Sequence, residues 1–316
     1  MTGPARFLTA AVAAILPLAV LLYAGGVRAQ DGTAAGAAQP VQLAQAATVG
    51  SEVCLECHDE APTNRILHTP HAQTADSRTP FARGGCETCH GPGANHADDP
   101  GVPIGVKFGL KSDTPAAEQS AVCLTCHESG DRLNWHMSKH EAADRSCSSC
   151  HNVHASKDPM LVKTSQTKVC VTCHSDRRAD LFKRSRHPVR EGIVACSDCH
   201  NPHGSFGSES LVKASVNETC FQCHAEKRGP FLWEHQPVAE DCSICHNPHG
   251  STQAKLLKAR APFLCQTCHS ALFHPSSLYD NRDVASFDDH TVANACLNCH
   301  PRIHGTNHPS GPRLTR

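Results

Sequence analysis

The chain has 316 residues, a formal net charge of −1, 20 Cys, 24 His, 21 Gly and 21 Pro. Hydrophobic residues make up 39%, but that figure counts every Cys, and Phe, Trp and Tyr reach only 4%. So few apolar side chains cannot pack a large core, which excludes a Rossmann fold, a TIM barrel and a β-sandwich, and no basic stripe points to nucleic acid.

Residues 1–29 read as a secretory signal peptide. Arg6 is followed by an apolar stretch from Phe7 to Ala24, and Val27-Arg28-Ala29 makes a small-residue cleavage site. Residues 30–50 are rich in Ala, Gln and Gly and predict a flexible linker. Folded structure is expected from Ser51. Beyond residue 30 there is no apolar run long enough to span a bilayer as a helix.

Every cysteine belongs to a Cys-x-x-Cys-His motif. The ten are Cys54, Cys57 and His58; Cys86, Cys89 and His90; Cys123, Cys126 and His127; Cys147, Cys150 and His151; Cys170, Cys173 and His174; Cys196, Cys199 and His200; Cys220, Cys223 and His224; Cys242, Cys245 and His246; Cys265, Cys268 and His269; Cys296, Cys299 and His300. This is the attachment signature of c-type haem. Thiols three residues apart share one face of a helical turn and can add to the two vinyl groups of one porphyrin edge. The next residue then offers an imidazole to the iron. A disulfide scaffold or a zinc site does not require His directly after the second Cys, ten times over. Ten covalent haems are therefore expected. Attachment recurs about every 27 residues between His58 and His300, so haem is expected to fill the interior. The fold class is a multihaem cytochrome c, mostly irregular, with short α-helices and little or no β, because Pro, Gly, Asn and Ser punctuate the stretches between motifs.

Fourteen His remain, and the motifs come in pairs. After the first motif of a pair a His follows at long range: thirteen residues for His71, His140 and His187, eleven for His235. After the second motif one follows closely: three residues for His154, His203 and His249, four for His304, six for His96. The fifth long-range His is either His274 or His290. These are the candidate distal ligands, and a close-following His is expected to cap a neighbouring haem rather than its own. His68, His136 and His308 are surplus. With ten distal His available, no axial position need be left open for substrate, so bis-His electron transfer is expected and no catalytic residue is assigned. Trp135 and Trp233 are expected to pack on haem faces, and Lys227-Arg228-Gly229-Pro230 to form a solvated turn.

Beyond the motifs, five strings carry a family resemblance. They are Val-His-Ala-Ser-Lys-Asp-Pro at 153–159, Cys-Ser-Asp-Cys-His-Asn-Pro-His-Gly-Ser at 196–205, Cys-His-Ala-Glu-Lys-Arg-Gly-Pro-Phe-Leu-Trp-Glu-His at 223–235, Cys-His-Asn-Pro-His-Gly-Ser at 245–251 and Ile-His-Gly-Thr-Asn-His-Pro-Ser-Gly at 303–311. With them the chain resembles the periplasmic decahaem cytochromes of outer-membrane electron conduits, the MtrA/PioA/DmsE family. The resemblance implies an elongated row of ten haems in two pentahaem halves, 51–190 and 191–316. It favours His274 over His290. It also implies a place inside an outer-membrane β-barrel, linking a periplasmic or inner-membrane cytochrome to an extracellular multihaem cytochrome or metal, by metal reduction or Fe(II) oxidation. Two other functions stay open: a soluble periplasmic electron store, and a multihaem reductase with one open haem. Direction of flow, individual potentials and the partner of each proximal His are not legible at this level.

Overall fold

The computed structural model describes residues 47–269 and 296–315. The leader, most of the linker, His274 and His290 lie outside them. Among the described residues there is no strand; the only β features are isolated bridges such as Ser185 to Ser251 and Trp233 to Thr306. No described helix is long and apolar enough to cross a membrane.

The helices follow the motifs. The first motif of each pair lies at or just past the end of an α-helix: α1 (Ser51–Leu55), α2 (Ala116–Leu124), α3 (Lys163–Cys170), α4 (Val216–Phe221) and α5 (Ala261–Gln266). The second motif makes no more than a turn, at Cys147–Ser149, Cys196–Asp198 and Cys242–Ile244 in 3₁₀ form and at Glu87–His90 and Cys296–Cys299 in α form. In all ten motifs the His N–H donates to the carbonyl of the first Cys at 2.9–3.1 Å. That bond closes one helical turn and puts both thiols on a common face.

Helices of five to nine residues are marginal alone, and little apolar packing supports these. Among the described residues the buried hydrophobic side chains are Trp135, Met160, Leu181 and Ala195, against eleven buried polar ones. Among the described residues polar ones clamp four of the five pairs together. On α2, buried Gln119 accepts from Ser146 Oγ at 3.1 Å and Ser148 Oγ at 2.5 Å. On α3, Gln166 accepts from Ser197 N and donates to Ser197 Oγ and to the Met160 carbonyl, at 3.0–3.1 Å. On α4, Asn217 accepts from Cys242 N at 2.7 Å and donates to Val238 and Ala239 carbonyls. Inside the second motif, the Glu87 carboxylate accepts from the N–H groups of Val49, Gly50 and Gly93. In each case a residue in or beside one motif satisfies backbone or hydroxyl groups beside the other, and loss of such a buried partner costs more than the net gain of an exposed one.

The loops after Cys196–His200 and Cys242–His246 are copies of each other. Asn201 N donates to Ser210 O and Asn247 N to Leu256 O, both at 2.7 Å. Two successive non-glycine residues adopt left-handed backbone in each, Glu209 and Ser210 (φ 51° and 55°) and Lys255 and Leu256 (φ 58° and 59°). Gly204 and Gly250 also have positive φ, and a Cβ there would meet the carbonyls of Asn134 and Asp180 at 2.5 and 2.1 Å. Only glycine allows this approach. It seats the Asn-Pro-His-Gly segment on the stretch that carries the preceding long-range His.

Candidate haem-binding sites

Nine attachment histidines each face one of the spare histidines. The ring centroids are 6.3 Å apart for His58 and His96, 6.2 Å for His90 and His154, 6.1 Å for His127 and His71, 6.1 Å for His151 and His203, and 6.1 Å for His174 and His140. They are 5.9 Å apart for His200 and His249, 6.3 Å for His224 and His187, 6.2 Å for His246 and His304, and 6.0 Å for His269 and His235. A metal–imidazole nitrogen bond is about 2.0 Å, and the ring centre lies about 1.1 Å further, so two trans imidazoles on one metal hold centroids about 6.2 Å apart. The pairs fit that requirement. Among the described residues no group of three or more His, Cys, Asp or Glu converges as a metal cage would need.

The partner choice follows two rules. Long-range histidines reach forward two motifs: His71 to His127, His140 to His174, His187 to His224, His235 to His269. Close-following histidines reach back two motifs: His154 to His90, His203 to His151, His249 to His200, His304 to His246. His96, with only one motif before its own, reaches His58. Apart from His96, the close-following set is therefore not partnered with the adjacent motif. His300 completes the series; its Nδ1 lies 2.7 Å from the Arg313 carbonyl, and both candidates for its opposite number fall outside the described residues. The surplus His68, His136 and His308 are exposed. His136 pairs with Glu141 at 2.8 Å, and His308 accepts from Ser310 N.

The rings are oriented by their other nitrogen. Nδ1 donates to a backbone carbonyl in His90 (Val106), His96 (Val102), His140 (Pro202), His154 (Thr63), His187 (Pro248), His200 (Glu209) and His246 (Lys255), at 2.7–2.9 Å. Such a bond fixes the tautomer and leaves the Nε2 lone pair for a metal. Two rings differ. His151 Nδ1 donates to the Asp158 carboxylate at 2.6 Å, and His249 Nδ1 faces the Arg177 guanidinium at 3.1 Å. Burial, ahead of repulsion from neighbouring cations, lowers the pKa of His90, His127, His203, His235, His249 and His304. That favours the neutral imidazole a metal ligand must be.

None of the cysteines forms a disulfide, and they are arranged in a continuous series. First cysteines meet within a pair: Cys54 with Cys86, Cys123 with Cys147, Cys170 with Cys196, Cys220 with Cys242, Cys265 with Cys296. Second cysteines feel each other's charge between pairs: Cys89 and Cys126, Cys150 and Cys173, Cys199 and Cys223, Cys245 and Cys268. Successive motifs are therefore spatial neighbours in chain order. Trp135 is buried with its ring 6.4 Å from His203. Trp233 Nε1 donates to the His308 carbonyl, and Arg228 pairs with Glu218 at 2.8 Å.

Ten helical Cys-x-x-Cys-His turns, with imidazoles facing nine of them, define a multihaem c-type cytochrome, an electron-transfer protein. Residues 187–229 and 235–273 match the family with a doubled CxxCH motif, and residues 86–173 match the cytochrome c-type protein NrfB-like family. The chain is 43% identical over 272 residues to the multihaem cytochrome MtrA of Shewanella baltica, covering 84% of this chain and 81% of that protein. It is 32% identical over 137 residues to the cytochrome c-type protein NrfB of Escherichia coli O6:H1, covering 40% of this chain and 66% of NrfB. The chain belongs to the MtrA family of multihaem cytochromes.

The glutamine and asparagine clamps were not expected from sequence. Their signal is positional: Gln119 and Gln166 stand four residues before the first Cys of a pair, and Asn217 three.

Proposed function

We propose that each of the ten motifs holds one haem c through its two cysteines, with ten bis-His axial pairs, and that the protein conducts electrons across the outer membrane inside a β-barrel partner. The observation that carries this reading is the set of nine imidazole pairs at 5.9–6.3 Å. His274 is assigned opposite His300, one motif ahead, mirroring at the end of the chain the one-motif reach of His96 at the start. Haem c supplies reversible one-electron exchange at its iron. The protein's own contribution is to occupy both axial positions, which disfavours a reductase with an open haem, and to hold successive attachment turns side by side so that electrons pass in chain order. The two halves, 51–190 and 191–316, are joined by the pairs His151–His203 and His187–His224, which span residue 190.

Membership of the MtrA family supports a periplasmic location with an outer-membrane partner. So does physics: irregular backbone of this kind cannot face lipid, and a barrel with a polar lumen supplies a sheath. An extracellular multihaem cytochrome or metal lies at one end of this pathway and a periplasmic or inner-membrane cytochrome at the other. The test is to extract native outer membrane in mild detergent and follow haem-stained protein through size exclusion. Co-elution with a large β-barrel is the expected result. Quantitative recovery as a free periplasmic protein would leave an electron store instead. Reduction of the haems in intact cells by Fe(II) or by a periplasmic donor then gives the direction of flow.

A further inference from the structure

Five attachment histidines, those of the second motif in each pair, have a hydrogen-bonded Nδ1. Four of them face a backbone carbonyl: Val106, Glu209, Lys255 and Arg313 for His90, His200, His246 and His300. His151 alone among them faces a carboxylate, Asp158 Oδ2 at 2.6 Å. The cause is local. The loop from His151 to Leu161-Val162 is one residue shorter than the loop from His200 to Leu211-Val212. It contains no left-handed pair of residues, and a side chain takes the place of the carbonyl.

That carboxylate is held in place. Its Oδ1 accepts from Met160 N at 3.0 Å and from Asn152 N at 3.4 Å, and its side chain is 13% exposed. Among the described residues its only ion-pair partner is His151. The charge also reaches the attachment point, where it acts on the Cys150 thiol. Opposite His151, the ring of His203 is 6.1 Å away, and its buried Nδ1 has no hydrogen-bond partner. On that side the charges nearest the ring are Arg132 and Asp131, which are opposite in sign, and neither is hydrogen-bonded to it. Two other acids lie near attachment rings: Glu226 is 3.8 Å from His224 Nδ1, beyond hydrogen-bond reach, and is 60% exposed, and the Glu209 carboxylate near His200 is 79% exposed and paired with Lys139.

A hydrogen bond to a carboxylate is shorter and stronger than one to a carbonyl. It draws the Nδ1 proton away from the ring and makes the opposite nitrogen a better donor to a metal. A stronger donor and a nearby negative charge both favour ferric over ferrous iron. We propose that Asp158 is a positioning and tuning residue that makes the haem held by Cys147, Cys150, His151 and His203 the lowest-potential haem in the chain. The inference rests on the bis-His reading above, and the experiment separates the two.

The wild-type holoprotein is first assayed for haem content and ferric spin state. Fewer than ten haems at these motifs, or a high-spin signal from the Cys147–His151 site, would remove the ligation reading and this proposal with it. Ten low-spin haems leave the proposal to stand or fall alone. Optical redox titration of Asp158→Asn is then compared with wild type. About one-tenth of the haem absorbance change is expected to leave the low-potential end of the curve and move upward, with Asp158→Glu moving it less. A superimposable curve, or a downward shift, at full haem content would overturn the proposal. Should the variant fail to mature, potentiometric electron paramagnetic resonance of wild type decides. The last haem to stay ferric is expected to give the rhombic signal of near-parallel rings, since His151 and His203 lie 17° apart. The highly anisotropic signal of crossed rings, as at His71–His127 and His140–His174 (both 73°), would overturn it.

Discussion

The first and second motifs of each pair share one five-residue signature and hold it in different ways. The first lies at a helix end; among the described residues no Nδ1 of His58, His127, His174, His224 or His269 has a hydrogen-bond partner within reach. Three of the facing rings, His96, His140 and His187, carry the hydrogen bond instead, to the carbonyls of Val102, Pro202 and Pro248. The second motif occupies a bare turn, and its own His is tied, to a carbonyl or to Asp158. A helix supplies stiffness to one motif and loop hydrogen bonds supply it to the other. The contrast teaches that orientation of an imidazole pair can be set from either ring, provided one of the two is anchored.

The largest expected effect comes from cutting one partner of each kind. His187→Ala, which reaches forward, and His249→Ala, which reaches back, each leave one attachment ring without an opposite imidazole. Each is expected to convert about one-tenth of the haem from low to high spin, read by ferric electron paramagnetic resonance. His187→Ala should also loosen the Asn-Pro-His-Gly loop whose Pro248 carbonyl it holds, visible as faster amide exchange there.

Next comes the joint between the two kinds of motif. Gln166→Leu strands the Ser197 N–H and the Met160 carbonyl. A loss of about 2–3 kcal/mol is expected, from unpaired buried groups, in urea unfolding followed by the haem Soret band. A loss below half that would mean the pair is held by haem contacts rather than by the amide.

Glu87 tests the same joint by pH. Burial alone would raise its pKa; the N–H donors of Gly50, Gly93 and Val49 outweigh that and lower it. A carboxyl lowered in the folded state contributes stability that is present above the ordinary value of about 4.3 and fades as pH falls through the lower folded value. Glu87→Gln is expected to cost about 1–2 kcal/mol at pH 7 and to flatten the acid dependence of unfolding below about pH 4.

The smallest effect concerns the loops. Lys255 has φ 58° with no glycine to ease it. Lys255→Gly is expected to stabilise by up to about 1 kcal/mol through relief of left-handed strain, read as a raised urea midpoint.

The attachment chemistry was legible because covalent spacing is rigid: two thiols and an imidazole must lie on one turn, so Cys54 through His300 declare themselves. The pairing of motifs was legible too, from the alternation of long and short gaps to the next His. The partner of each ring was not. His154 stands three residues from His151, yet it faces His90, because a side chain so close in sequence cannot swing round to the opposite side of its own ring plane. Distance along the chain thus excludes one partner without selecting another; the selection is made by loops such as 200–212, whose left-handed turns depend on backbone rather than on residue type. Gln166 was silent for a related reason. On a short polar helix it reads as a solvent-facing residue, and only the return of Ser197 to its side makes it buried.

Because every forward and backward reach among the described residues, apart from that of His96 at the start, spans two motifs, the arrangement is a stitch that can be repeated in the interior without altering any neighbour. A duplicated segment of the length that separates His200 from His246 would receive a ligand from the segment before and offer one to the segment after. Reach along the conductor therefore grows in whole stitches of two haems, and a length of coding sequence becomes a fixed increment of conducting distance.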